Sequence, residues 1–81
     1  MTVRVLAFAR VREVAGFARS ELTLPHDARI ADAWELLAQK VPALAALRAC
    51  TRIARNGRIA EGSERLADGD ELALLPPSGG G

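Results

Sequence analysis

The chain has 81 residues, which is enough for one domain with a single modest hydrophobic core. Eleven Lys and Arg residues against ten Asp and Glu residues give a net charge of +1, which argues against a protein that binds nucleic acid or an anionic membrane. A single cysteine excludes an internal disulfide and the Cys/His spacing of a zinc site, and no stretch approaches the roughly 18 apolar residues of a membrane span. We therefore expect a cytoplasmic protein in a reducing compartment, with Cys50 as a small buried apolar residue.

Alternation of apolar and polar residues over residues 2–10 predicts a first β-strand. One face of this strand carries Val3, Val5, Ala7 and Ala9, and the other carries Arg4, Leu6, Phe8 and Arg10. If the valine face packs on the core, Leu6 and Phe8 lie on the outer face, where large apolar side chains beside arginines indicate a surface that a partner covers.

The apolar spacing changes at Ile30 to that of an amphipathic helix. Apolar residues recur at helical spacing at Ile30, Ala33, Trp34, Leu37 and Val41. Asp32 in the first turn and Lys40 in the last turn suit the helix dipole, and Pro42 ends the helix. Trp34 is therefore predicted to pack in the core against a sheet. Shorter helical pieces are expected over residues 11–15 and 42–49.

Short strands with clear turn signals fill the rest of the chain. They are predicted over residues 19–24, 51–55, 58–60 and 71–75. Asn56-Gly57 is the strongest hairpin signal in the sequence, and Asp68-Gly69-Asp70 makes a second tight turn. Alternation puts Arg55 on the same face as Ile53, so the Arg55 side chain must reach water at the margin of the sheet.

The order of two strands, a helix and further strands predicts an α+β fold, in which one main helix covers a mixed sheet of four to five strands. Pairing the first and last strands as parallel neighbours in the centre of the sheet gives the β-grasp arrangement. The folded domain is expected over residues 1–75, and residues 76–81 are expected to form an extended C-terminal tail.

Pro76 and Pro77 cannot donate to a sheet ladder and favour an extended backbone, so we expect the last strand to stop before them. At about 3.1 to 3.3 Å per residue the tail reaches roughly 20 Å, enough to enter a pocket on another protein. Gly79, Gly80 and Gly81 have no β-carbon, which lets a narrow channel admit the backbone. The alternative is a frayed terminus without function.

A series of short motifs runs along the chain: Phe8-Ala9-Arg10-Val11-Arg12-Glu13, Leu24-Pro25, Asn56-Gly57, Asp68-Gly69-Asp70-Glu71, Leu74-Leu75-Pro76-Pro77 and Gly80-Gly81. In this order and spacing they resemble the small subunit of molybdopterin synthase, a family of ubiquitin-like proteins, over essentially the full chain. The departures from the family pattern are Ser78 and Gly79 after the proline pair, Arg55 in place of an aliphatic residue, and Arg29 in place of a helix-capping Ser or Thr.

The resemblance implies that the chain carries sulfur on its C-terminal glycine. In this family an adenylyltransferase similar to ubiquitin-activating enzymes uses ATP to adenylate the residue that corresponds to Gly81. A sulfur donor protein then displaces AMP and leaves a thiocarboxylate, a 1-thioglycine. The tail delivers this sulfur to cyclic pyranopterin monophosphate inside the large subunit of molybdopterin synthase, within a heterotetramer. No cofactor is expected to stay bound to the chain itself.

The resemblance also implies a partner interface formed by Phe8, Ile59 and Leu75. The catalytic groups are expected to belong to the partners, so no side chain of this protein needs to act as an acid or base. Three alternatives are a thiazole-pathway sulfur carrier, a ubiquitin-like tag that forms an isopeptide bond to lysine, and a binding module with an inert tail. Thiazole-pathway carriers tend to be shorter, and they lack the motif of residues 8–13 and the paired prolines.

Overall fold

The computed structural model describes residues 1–77, which form five strands, two α-helices and one 3₁₀ helix. The strands are β1 (Thr2–Ala7), β2 (Arg19–Thr23), β3 (Arg52–Arg55), β4 (Arg58–Ile59) and β5 (Glu71–Leu75). The helices are α1 (Ala9–Ala15), α2 (Ile30–Lys40) and the 3₁₀ helix Pro42–Cys50. Each strand and helix that the sequence predicts is present, with ends shifted by a few residues.

The first and last strands pair in the centre of one sheet. The strand order is β2-β1-β5-β3-β4, in which β1 and β5 run parallel and the other neighbours run antiparallel. The parallel register places Val5 beside Leu72 and Ala7 beside Leu74. This confirms the predicted β-grasp arrangement, an α+β fold in which α2 covers one face of a mixed sheet.

Apolar side chains on one face of the sheet form the core together with α2 and the 3₁₀ helix. The largest fully buried side chains are Leu22, Ile30, Leu44, Leu72, Leu74, Val3 and Val5. Burial of each stabilises the fold by about 1.5 to 3 kcal/mol relative to exposure. Trp34 is buried, as predicted, and the guanidinium of Arg48 lies 5.8 Å from the centre of its ring.

β1 ends at Ala7, short of the predicted end at Arg10. Ala9 has a φ of +52° and begins α1, so strand alternation stops and Ala9 is exposed. The prediction that Ala9 shares the core face of β1 is therefore wrong. Val11 of α1 is buried instead and fills the core near the end of this strand.

Cys50 is exposed, which corrects the prediction of a buried apolar residue. Side chains three residues apart are eclipsed in a 3₁₀ helix, so Leu44, Leu47 and Cys50 lie along one line. Burial falls along this line from the fully buried Leu44 through the partly buried Leu47 to the exposed Cys50. The helix therefore runs past the edge of the core before β3 begins. Within residues 1–77, no helix combines the length and hydrophobicity needed to cross a bilayer.

The start of α2 is stabilised without a Ser or Thr cap. The carboxylate of Asp32 accepts a hydrogen bond from the backbone N–H of Arg29 at 2.8 Å. The Arg29 guanidinium donates to the carbonyl oxygen of Ser63 at 2.6 Å, and the N–H of Ile30 donates to the carbonyl oxygen of Glu64 at 3.0 Å. The segment that precedes β5 thus supplies acceptors that a capping side chain provides in other helices.

Arg55 lies at the margin of the core face, as predicted, where two carboxylates hold its guanidinium. Its Nε donates to Oδ2 of Asp70 at 2.7 Å, and its Nη1 donates to Oε1 of Glu64 at 3.0 Å. Asp70 also accepts hydrogen bonds from the amide group of Asn56 at 2.9 Å and from the N–H of Ala67 at 2.7 Å. These contacts tie the β3–β4 hairpin to the turn that precedes β5.

The hydrogen bonds to Asp70 keep its carboxylate charged. Burial acts to raise the pKa of Asp70, but the hydrogen bonds from Asn56, Ala67 and Arg55 outweigh burial and hold this pKa below its ordinary value of 3.8. Because the pKa is lower in the folded protein than in the unfolded chain, the stabilisation by Asp70 is present above the unfolded pKa. It is lost as the pH falls through the folded pKa.

We expect Asp70→Asn to lower the free energy of unfolding by about 1 to 3 kcal/mol at neutral pH, because the guanidinium of Arg55 loses its charged acceptor. The difference from wild type should shrink as the pH falls from the unfolded pKa of 3.8 through the lower pKa of Asp70 in the folded protein, because the wild-type carboxylate then takes up a proton. Urea unfolding, followed by the fluorescence of the single tryptophan, measures both effects.

Glu71→Gln is the matched control for this experiment, since the carboxylate of Glu71 makes a longer contact of 3.9 Å with the exposed Arg4. We expect this control to change the free energy of unfolding by less than about 0.5 kcal/mol. A loss in Asp70→Asn that is the same at neutral and acid pH would contradict the assigned role of the Asp70 carboxylate.

Candidate functional site

The sheet face opposite α2, here called the open face, carries a row of apolar side chains. In the strand register Leu6 lies beside Ala73, Ala73 lies beside Ala54, and Ala54 lies beside Ile59. This apolar row (Leu6, Ala73, Ala54 and Ile59) crosses β1, β5, β3 and β4. Ile59 at one end of the row is exposed, Leu6 and Ala73 are half-buried, and Ala54 is buried.

The tail leaves the domain from the end of β5, next to Phe8. β5 ends at Leu75, and the two prolines that follow are exposed and outside the strand, as predicted. The N–H of Phe8 donates to the carbonyl oxygen of Leu74 at 3.1 Å, which places Phe8 on one side of this exit. Arg52 pairs with Leu75 on the other side. An aromatic residue and a cationic residue therefore flank the tail exit.

Of the three residues predicted to form a partner interface, Phe8 and Leu75 lie at the tail exit, and Ile59 lies in β4 at one end of the apolar row. Among residues 1–77, Phe8 and Ile59 are the exposed large apolar residues, at 43% and 49% of full exposure. Leu75 is partly exposed and follows Ala73 by two positions in β5, so both side chains point to the open face. Their role in binding stays a prediction. The predicted sulfur site at Gly81, with Gly79 and Gly80, lies outside the described residues.

The half of the open face away from the tail exit is polar. Arg4 of β1 lies between Glu21 of β2 and Glu71 of β5, and Arg19 lies opposite Leu6 at the end of the apolar row. A shallow cavity of about 410 Å³ opens here, lined by Arg4, Leu6, Arg19, Ser20, Glu21 and Glu71. The open face therefore divides into a polar half and an apolar half, and the apolar half adjoins the tail exit.

Within residues 1–77, two residues other than glycine have a left-handed backbone: Asn56, with a φ of +51°, and Ala9, with a φ of +52°. Asn56 and the following Gly57 form the tight turn that the sequence predicts between β3 and β4. Ala9 belongs to no such turn, and its conformation costs about 1 to 2 kcal/mol. The strain therefore lies next to Phe8, at the tail exit.

Strand alternation indicated the outward direction of Leu6 and Phe8, and the family resemblance indicated Ile59 and Leu75. Ala54, Ala73 and Arg52 were not predicted to belong to the site. Ala54 and Arg52 point outward because Ile53 between them points into the core, and this alternation was a usable signal. The pairing of these residues with β5 was not predictable, since no local pattern specifies register between distant strands. Within residues 1–77, no group of three or more His, Cys, Asp and Glu side chains is arranged to hold a metal ion.

Comparisons with known proteins agree with the fold and the motifs. The model of the ThiS family matches residues 5–81. The molybdopterin synthase sulfur carrier subunit of Drosophila yakuba is 39% identical over 84 residues, which cover 100% of this chain and 92% of that protein. The crystal structure of SAMP1 from Haloferax volcanii superposes with a TM-score of 0.88 at 35% identity, over 100% of both chains.

A third similarity is to a chain in a protein–protein complex of subunits 1 and 2 of molybdopterin-converting factor from Helicobacter pylori. It has a TM-score of 0.70 and 26% identity, and covers 100% of both chains. The family model spans nearly the whole sequence, and the relative from Drosophila yakuba matches it from end to end. This chain therefore belongs to the ThiS family, and its resemblance to the sulfur carrier subunits of molybdopterin synthase is confirmed.

Proposed function

We propose that this chain is a sulfur carrier for molybdenum cofactor biosynthesis, which holds sulfur as a thiocarboxylate on Gly81. The observation that carries the proposal is the position of the tail exit. A C-terminus stiffened by two prolines leaves β5 between Phe8 and Arg52, beside the apolar half of an uncovered sheet face. Curated relatives named as sulfur carrier subunits of molybdopterin synthase support this role.

The proposed chemistry begins with activation of the C-terminal carboxylate, which is resonance-stabilised and has no leaving group. An adenylyltransferase uses ATP to form an acyl adenylate on Gly81 and releases pyrophosphate. The terminal sulfur of a donor persulfide then attacks the carbonyl carbon while the bond to AMP breaks, which gives an acyl disulfide between the carrier and the donor. A thiol attacks the donor sulfur of this disulfide, the S–S bond breaks, and the thiocarboxylate leaves while a disulfide forms between the thiol and the donor. The groups that move protons in these steps belong to the partner enzymes, and the carrier supplies a reactive chain end.

The composition of the tail suits delivery into an enclosed site of a second protein. Six residues from Pro76 to Gly81 span about 20 Å when extended. The proline pair restricts the directions that the base of the tail samples, which reduces the conformational entropy lost on binding. The glycines 79–81 carry no β-carbon, so a narrow channel accommodates their backbone.

The open face is the proposed docking surface for the large subunit of molybdopterin synthase. Phe8, Leu75 and Ile59 provide exposed or partly exposed apolar groups at the tail exit and along the apolar row. Arg52 at the exit and Arg19 at the end of the row favour an acidic border on the partner, because opposite charges speed and orient association. The similarity to a chain in the complex of subunits 1 and 2 from Helicobacter pylori supports a large-subunit partner.

A second candidate function is that of a protein modifier. The small archaeal modifier protein 1 of Haloferax volcanii is 38% identical over 82 residues, which is the observation that favours it. A modifier uses the same activated Gly81 but transfers the acyl group to a lysine amine. The name of the ThiS family also leaves a thiazole-pathway carrier as an alternative for the identity of the sulfur acceptor.

We expect the purified chain, incubated with its activating enzyme, ATP and a sulfur donor, to gain the mass of one oxygen-to-sulfur exchange. Intact-mass spectrometry measures this change because the product is a single covalent modification. A modifier incubated with a cell extract gains the mass of a second protein instead. An unmodified mass under both conditions would contradict both functions.

The control for this experiment is a variant that lacks both Gly80 and Gly81. Removal of Gly81 alone leaves a chain that still ends in two glycines, Gly79-Gly80, and is therefore a poor control. We expect the doubly shortened chain to keep its fold and to gain no sulfur, because the reactive carboxylate no longer reaches the active site of the activating enzyme.

We expect Phe8→Asp and Ile59→Asp each to weaken binding to the large subunit by about tenfold or more, because a charge is buried in an apolar interface. The free energy of unfolding should change by less than about 1 kcal/mol, since both side chains are exposed in the free protein. Titration calorimetry measures the affinity, and urea unfolding measures the stability.

Two control variants test whether the effect depends on the position of the charge. Ala45→Asp places the same charge on an exposed position of the 3₁₀ helix, away from the open face, and should leave the affinity unchanged. Val5→Asp places it in the core and should abolish folding. If Phe8→Asp unfolds the domain, the assignment of strand faces is wrong, and if it binds normally, the docking surface is wrong.

A further inference from the structure

Backbone strain lies immediately beside an exposed aromatic side chain. Ala9 has a φ of +52°, and the preceding Phe8 is 43% exposed at the tail exit. A left-handed backbone at a residue with a β-carbon is uncommon, and such residues are enriched at binding and catalytic sites. The position of this strained residue therefore calls for a functional explanation.

At the other left-handed positions of the described chain, the residue is glycine or asparagine. Gly16, Gly57 and Gly69 have φ values of +81°, +86° and +85°, so glycine occupies these three turns. Asn56 is the other exception, and asparagine tolerates this region well, with a side chain that here donates to Asp70. Ala9 has neither advantage. A glycine at this position would adopt the same conformation without strain.

The strained residue completes a set of constraints on Phe8. The N–H of Phe8 donates to the carbonyl oxygen of Leu74 at 3.1 Å, and its carbonyl oxygen accepts from the N–H of Arg12 at 3.3 Å. The first contact attaches Phe8 to β5, and the second attaches it to α1. The change of direction from strand to helix falls on Ala9, the residue that follows Phe8.

We propose that Ala9 is a positioning residue for partner docking, because its left-handed backbone fixes the direction in which Phe8 projects at the tail exit. This inference rests on the proposed docking surface. The hydrogen bonds of Phe8 with Leu74 and Arg12 hold the turn in its left-handed arrangement. The β-carbon at position 9 excludes most of the other conformations that glycine would allow, so the turn after Phe8 has few alternatives before the partner arrives. Part of the ordering that binding requires is then already present in the free protein.

The test compares Ala9→Gly with wild type in two measurements, affinity for the purified large subunit of molybdopterin synthase and stability in urea. We expect the dissociation constant to rise about two- to fivefold, because Phe8 gains freedom that binding must remove. The urea midpoint should stay the same or rise, since glycine relieves the strain. A residue with a merely structural role would not weaken binding while stability is maintained.

Two further variants sharpen this comparison. Ala9→Asn keeps a β-carbon and tolerates the left-handed region, so we expect it to retain wild-type affinity. Ala45→Gly introduces the same added freedom at an exposed position of the 3₁₀ helix, and should not change the affinity. Equal weakening by Ala9→Gly and Ala45→Gly would overturn the proposal.

A double-mutant cycle with Phe8→Ala separates this inference from the proposed function. If Ala9 acts through Phe8, Ala9→Gly has no further effect on affinity once the Phe8 ring is absent. If Phe8→Ala weakens binding while Ala9→Gly has no effect, or has the same effect in both backgrounds, the role of Ala9 is rejected and the docking surface stands. If Phe8→Ala leaves the affinity unchanged, the docking surface is rejected, and the role of Ala9 with it.

Discussion

The parallel pairing of β1 with β5 is the constraint on which the rest of the molecule depends. It joins the first and last strands of the domain in the centre of the sheet, so the chain must fold over its whole length before this pair can form. The same pairing places the end of β5 next to Phe8. The position from which the tail leaves is therefore fixed by the central strands of the sheet, and those strands are held by the core.

The two faces of the sheet have separate physical roles. Burial of Val5, Leu72 and Leu74 against α2 supplies much of the stability of the fold. Side chains on the open face contribute little to the core, so this face can carry a row of apolar side chains. Phe8 and Ile59 are exposed to water in the free protein, which is unfavourable for large apolar side chains. A protein partner that covers them removes this contact with water.

Polar contacts at the end of β5 opposite the tail exit hold the β3–β4 hairpin in place. Asp70 joins Arg55 and Asn56 of the hairpin region to the turn before β5. This cluster is satisfied by hydrogen bonds, as charged groups near a core must be. Because Ile59 lies on β4 of the same hairpin, the cluster also supports one end of the apolar row.

Local periodicity and turn chemistry specify the strands, the main helix, the Asn56-Gly57 turn and the division of β1 into core and outer faces, so these features were predictable from the sequence. Its motifs also indicated the family. The folded structure was needed to find the apolar row, the contacts of Arg55, the exposure of Cys50 and the left-handed backbone of Ala9. These depend on register and packing between segments far apart in the chain, for which no local pattern exists.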